Sequence, residues 1–181
     1  MFIILLSGYA GSGKDSAALV FKQYGFQVAS VAENVKLQSA KYHGFSYELT
    51  QTQEGKSTIV KSQKTHENKT VREFLIEDSA QNKIINNDSA FWIRLLVQQI
   101  KRDTPDFLVI SDWRYKEEYD YLKFVFPEAE IIKVRIIRDS IIASSDKSEH
   151  ELDNERFNFT IHNNTSLDDL SKECSNILNL V

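Results

Sequence analysis

Residues Phe2–Ala18, FIILLSGYAGSGKDSAA, decide the fold: an apolar strand, a glycine-rich turn, then a lysine that opens a helix. Gly8, Gly13 and Lys14 fit the phosphate-binding template G-x-x-x-x-G-K-[ST] at every position but the last, where Asp15 replaces Ser or Thr. Phe2 to Leu6 is a continuous hydrophobic run, as expected of a central parallel strand buried on both faces. Gly8, Gly11 and Gly13 are half of the 6 glycines, so backbone freedom is concentrated where main-chain N–H groups would curl around an anion. Lys14 then begins a helix whose positive end favours phosphate. A bend would need the glycines but not a lysine at that spacing. The stretch therefore predicts a site for a nucleotide triphosphate or something very like one.

Composition narrows the classes. A chain of 181 residues with 41% hydrophobic and 27% charged residues is of single-domain length and ordinary globular make-up. A net charge of −4 argues against a non-specific nucleic-acid binder. No apolar run approaches the roughly 18 residues of a membrane span. The first hydrophobic run lacks a basic flank and ends in the glycine turn, which does not read as a signal peptide. A single cysteine, Cys174, excludes an internal disulfide and points to a reducing compartment, with the cytoplasm as the expected location. It falls on the apolar stripe of the last helix and reads as a core thiol.

Strands and helices alternate outward from the opening stretch, which predicts an α/β fold with a mostly parallel sheet. Strands are expected at Phe2–Leu6, Phe26–Val31, Phe107–Ser111, Ala129–Ile137 and Phe157–Ile161. Helices are expected at Lys14–Tyr24, Ala32–Tyr42, Thr70–Ile85 and Ser89–Arg102. Ser166 with Asp169 resembles a capping box opening a last helix. Gly44–Lys69 is polar and weakly periodic, and reads as a mobile, partly helical insertion rather than as disorder. The expected organisation is one domain over 1–181, with a core of about 1–31 and 104–181, an insertion of about 32–103 and a lid of about 139–151.

Several polar residues fall at strand ends. Asp112 follows the Phe107–Ser111 strand, where a phosphate-loop fold places a carboxylate beside magnesium and its waters; alone it would read as a turn or cap aspartate. Arg114 suits bidentate binding of phosphate, or else a surface ion pair with Glu117 or Glu118. Trp113 between them reads as core. Arg138 follows the Ala129–Ile137 strand, where an arginine would stabilise a transferring phosphoryl group. Asp139–Glu151, DSIIASSDKSEHE, reads equally as a lid or as a solvated loop. Lys36 and Arg72 border the insertion and read either as contacts to an acceptor phosphate or as exposed helix-face charges. The histidines show no metal-binding spacing.

Asp112 is followed by Trp-Arg-Tyr rather than the D-x-x-G of a GTPase, and Asn82-Lys83 is followed by Ile-Ile rather than completing N-K-x-D. What remains is a small kinase acting on a small phosphorylated acceptor. At this point GYAGSGKDSAA, FLVISDWRYKEE and SEHELDNERFNFTIHNNTSLDDL resemble the deoxynucleoside monophosphate kinases of phages, large viruses and some bacteria. The resemblance covers about residues 2–36 and 106–178. It implies a three-layer α/β/α fold of the phosphate-loop nucleoside monophosphate kinase type, with a five-stranded sheet. It also implies ATP- and Mg²⁺-dependent phosphorylation of a deoxynucleoside monophosphate to the diphosphate, and admits a homodimer as partner. By position, Gly8, Gly11, Ser12, Gly13, Lys14, Asp15 and Ser16 would hold ATP, and Asp15 and Asp112 the metal. Lys14, Asp112 and Arg114 would be catalytic, joined by Arg138 from its place after the Ala129–Ile137 strand rather than from the resemblance; Lys36, Arg72, Trp92 and Arg114 would meet the acceptor. Where that family carries a glycine and an arginine after the Arg72 helix, Ser79–Lys83 offers only a lysine. Asp15 would add negative charge beside a triphosphate, tolerable with Mg²⁺ between them; the alternative is a helix cap. Animal phosphomevalonate kinases share the loop aspartate, the S-D-x-R strand end and a similar closing segment. A nucleotide-binding regulator without catalysis is the remaining alternative.

Overall fold

The computed structural model describes residues 1–143 and 147–180. The chain opens with strand β1 (Phe2–Ser7), helix α1 (Lys14–Gln23) and strand β2 (Gln27–Ala29). Helix α2 (Val31–His43), a 3-10 turn (Tyr47–Thr50), helix α3 (Gln53–Ser57), strands β3 (Ile59–Lys61) and β4 (Asn68–Thr70) and helix α4 (Val71–Ile85) follow. Then come α5 (Phe91–Asp103), β5 (Phe107–Ile110), α6 (Lys116–Val125) and β6 (Glu130–Ile137). A short α7 (Lys147–His150), β7 (Phe159–His162) and α8 (Leu167–Leu180) complete it. Of the segment expected as a lid, residues 144–146 lie outside the described residues. No helix among the described residues is long and apolar enough to cross a membrane.

The chain divides into two compact units, one of Met1–Ser30 with the chain from Val97 onward, the other of Val31–Leu96. In the first, five parallel strands run in the order β2-β5-β1-β6-β7. β1 is central, and Ile3, Ile4, Leu5 and Leu6 are all 0% exposed, which is why its sequence is a continuous apolar run rather than an alternating one. Ile4 and Leu6 point into a cluster with Ala17, Ala18 and Phe21 of α1 and Leu170, Cys174 and Ile177 of α8. Ile3 and Leu5 face the opposite side by alternation, so the sheet is covered twice, as a three-layer α/β/α fold requires. Ser166 and Asp169 bond reciprocally at the start of α8: the Ser166 hydroxyl accepts from the Asp169 N–H at 3.2 Å and donates to its carboxylate at 2.9 Å. α6 is an element the sequence patterning does not bring out. Its sequence is mostly polar, but Leu122 is fully buried, and Glu118 accepts from the N–H groups of Arg114 and Tyr115 at its start.

The second unit centres on His43, stacked on Phe74 with ring centroids 4.0 Å apart. Its Nδ1 meets the Ser62 hydroxyl at 2.8 Å, and its Nε2 lies 3.2 Å from Asp78. Ser62 also accepts from the N–H groups of Lys64 and Thr65, which closes the turn between antiparallel β3 and β4. The segment 44–69 holds a 3-10 turn, a helix, as a partly helical insertion would, and most of a hairpin, held by side-chain-to-backbone bonds that composition does not reveal. Thr70 and Glu73 form a capping box for α4.

Candidate active site

The loop after β1 needs glycine for two physical reasons. Gly8 has φ 149°, and a Cβ there would lie 2.3 Å from the Ile136 carbonyl oxygen of the neighbouring strand. Gly13 has φ 108°, and a Cβ would lie 2.2 Å from Asn163 Nδ2. Gly13 is also the N-cap of α1 and brings no side chain to its N–H groups. Asp15 therefore does not cap the helix, as one of the two expectations had it; it sits in the first turn, on the positive end of the helix dipole.

A cavity of about 340 Å³ opens at this helix start, lined by Gly11, Gly13, Lys14, Asp15 and Ser16 on the loop side. Arg138, Asn163, Thr165 and Leu167 line the rest, from the connections after β6 and β7. These groups lie at the carboxyl ends of parallel strands, where β1 has neighbours reached by separate crossovers. Ser12, expected among the ligand contacts, is instead an internal brace. It is 1% exposed, its N–H donates to the Tyr9 carbonyl at 3.1 Å and its carbonyl accepts from Asn163 Nδ2 at 2.8 Å. Asn163 is thus a supporting residue to which sequence reasoning assigned no role, although it closes the Ile161-His162-Asn163 run.

Lys14 Nζ donates to the Gly8 and Tyr9 carbonyls at 2.6 and 2.8 Å. Burial, aided by the nearby Arg114 charge, lowers its pKa to about 8, with Asp15, Glu149 and Asp112 opposing the shift. After β5, Trp113 is buried, its N–H bonded to the Leu6 carbonyl at 3.0 Å, while Asp112 and Arg114 flank it. Asp112 accepts from the Ser30 hydroxyl at 2.9 Å. Arg114 Nη1 reaches Ser148 at 3.2 Å and Glu149 at 3.5 Å, so its ion-pair partner is Glu149 rather than the Glu117 or Glu118 that sequence offers. Arg135 is buried, bonded to Ser7 and Asp153 and lying over the Tyr9 ring.

Of the four expected acceptor residues, Arg114 belongs to the first unit, while Lys36, Arg72 and Trp92 fall in the second, each with a neighbour of its own. Lys36 lies 3.7 Å from Glu33, and Arg72 bonds to Gln53. Trp92 is 2% exposed and its Nε1–H donates to the Ser79 carbonyl at 2.9 Å. Its placement is that of a core residue. Among the described residues no three His, Cys, Asp or Glu side chains group to hold a metal. The carboxylates acting on Lys14 are Asp15, Glu149 and Asp112, hard oxygen donors of the kind that suit magnesium together with phosphates and water.

This architecture, with its loop, is the phosphate-loop nucleoside monophosphate kinase-like fold. The chain is similar to dephospho-CoA kinase from Campylobacter jejuni at 15% identity and a TM-score of 0.52, covering 99% of this chain and 96% of that one. It is also similar to shikimate kinase from Aquifex aeolicus at 15% identity and a TM-score of 0.50, covering 98% and 96%. At such identities the likeness is one of fold. No protein-family model matches the chain, and no curated protein matches it either.

Proposed function

We propose that the protein is a phosphotransferase that moves the γ-phosphoryl group of ATP, in the presence of Mg²⁺, onto a deoxynucleoside monophosphate. The observation that carries this reading is the grouping of the uncapped α1 start and Lys14 with the Asp112–Arg114 strand end in one anion-seeking site. Main-chain N–H groups and Lys14 would hold the phosphates. Asp15 and Asp112 would hold the magnesium, which supplies charge neutralisation when bound. Arg114 would take an acceptor or transferring phosphoryl oxygen, and Arg138, which lines the cavity at the α1 start, would stabilise charge there. The bond to the β-phosphate oxygen breaks as an acceptor phosphate oxygen attacks, giving ADP and the diphosphate. Lys36 and Arg72 remain the candidate acceptor contacts on the second unit, with Trp92 supporting its fold rather than touching substrate.

The test is a panel of dTMP, dGMP, dCMP, dAMP and mevalonate phosphate with purified protein, ATP and Mg²⁺. Diphosphate from at least one deoxynucleotide, lost in Lys14→Ala, is the expected result. Turnover of mevalonate phosphate alone, or of none of them, would reject the substrate assignment.

A further inference from the structure

Glu149 is an acid inside a site built for anions. It is 8% exposed and its Oε1 accepts from the Ala10 N–H of the phosphate loop at 3.0 Å. The same oxygen lies 3.5 Å from Arg114 Nη1. A main-chain donor of the loop and one edge of a guanidinium, both natural ligands of phosphate oxygens, are thus held by a carboxylate of the chain itself. The contact is anchored from behind. Asp153, just beyond α7, accepts from Tyr9 Oη at 3.0 Å and Arg135 Nη2 at 2.8 Å, and its other oxygen meets His150 Nδ1 at 2.8 Å. α7 and the turn that follows it are therefore tied to the loop at two successive residues, Ala10 through Glu149 and Tyr9 through Asp153.

We propose that Glu149 is a resident anion of the phosphate loop, a specificity-determining residue whose carboxylate competes with ligand phosphate for the Ala10 N–H and Arg114. This rests on reading the loop as a phosphate site. Competition by a fixed negative charge penalises a bare polyphosphate more than one whose charge is partly neutralised by a divalent cation. Glu149 thereby selects metal-complexed triphosphate over the free anion.

Glu149→Gln keeps the shape and an oxygen for the Ala10 N–H while removing the charge. Titration calorimetry on the full chain, with inorganic tripolyphosphate in chelator and with Mg·ATP, reads the effect. The variant should bind metal-free tripolyphosphate about tenfold more tightly than wild type, with a smaller gain for Mg·ATP. Equal or weaker binding of tripolyphosphate overturns the proposal and makes Glu149 a brace of the loop. An equal gain for both ligands overturns the selectivity. If neither protein binds either ligand, the phosphate-site reading fails along with it, an outcome distinct from wild-type binding without a gain. Glu149→Asp, which draws the charge back by one methylene, should show an intermediate gain and serves if the amide variant does not fold.

Discussion

Raising the pH from 7 to 9 should weaken nucleotide binding through one group. Lys14 has its pKa lowered from the ordinary 10.5 to about 8, chiefly by burial and then by Arg114. With that value, about nine-tenths of the protein carries the ammonium at pH 7 and about one-tenth at pH 9. Phosphate binds the charged form, so binding takes up protons, and apparent affinity falls as pH rises through 8. The fall should approach tenfold, or about 1.4 kcal/mol, by pH 9. Titration calorimetry with Mg·ATP in buffers of different ionisation enthalpy would show the proton uptake directly, rising from about one-tenth of a proton at pH 7 to about nine-tenths at pH 9. Lys14→Arg, whose guanidinium stays charged over this range, should flatten the profile whatever its absolute affinity. Arg114→Ala removes a cation acting on Lys14 and should move the midpoint upward. A flat wild-type profile, or the same slope in Lys14→Arg, would refute the assignment of Lys14 as the titrating phosphate ligand.

Asn163→Ala leaves the carbonyl of Ser12, a residue 1% exposed, without its side-chain donor. Unfolding in urea should show a loss of about 1–3 kcal/mol. Cys174 is fully buried and its thiol is pushed up to about 12 by burial. It should resist a thiol reagent at pH 8 in the folded protein and react once the chain is unfolded by guanidinium. In Asp15→Asn, Mg²⁺-supported activity should fall steeply, while metal-free ATP should bind at least as tightly as to wild type, because a negative charge beside the phosphates is gone. Unchanged activity and Mg²⁺ dependence in that variant would leave Asp15 with only its favourable place at the helix dipole.

The fold was legible where a local rule has no competing solution. A run of apolar residues, three glycines and a lysine can hardly be read as anything but strand, loop and helix, and the structure has β1, the Gly8–Gly13 turn and α1 there. α6 escaped because its buried side is narrow and its start is secured by Glu118 bonding to backbone N–H groups, an arrangement with no periodic trace. The hairpin of β3 and β4 escaped for a related reason: three-residue strands are too short to alternate, and Ser62 fixes the turn through its hydroxyl. Within the site, position along the chain indicates which residues follow a strand but not which way they face. Ser12 shares the loop's sequence signature yet turns inward, and Trp92, expected at an acceptor, packs in a core beside the equally buried Ile93. Glu149 lies 139 residues from its partner Ala10, a pairing that only the folded sheet creates.

The two tryptophans have a use unconnected with substrate. The chain holds 2, Trp113 in the unit containing the five-stranded sheet and Trp92 in the unit of residues 31–96. Both indoles are at most 2% exposed, and each N–H is bonded to a carbonyl of its own unit, Tyr115 at 2.7 Å and Ser79 at 2.9 Å. Fluorescence from Trp92→Phe thus reports the sheet alone, and that from Trp113→Phe the helical unit alone. Coincident denaturation curves from the two variants would mean one cooperative transition; separated curves would give each unit its own stability. Each compact unit thus carries one optical probe of its own.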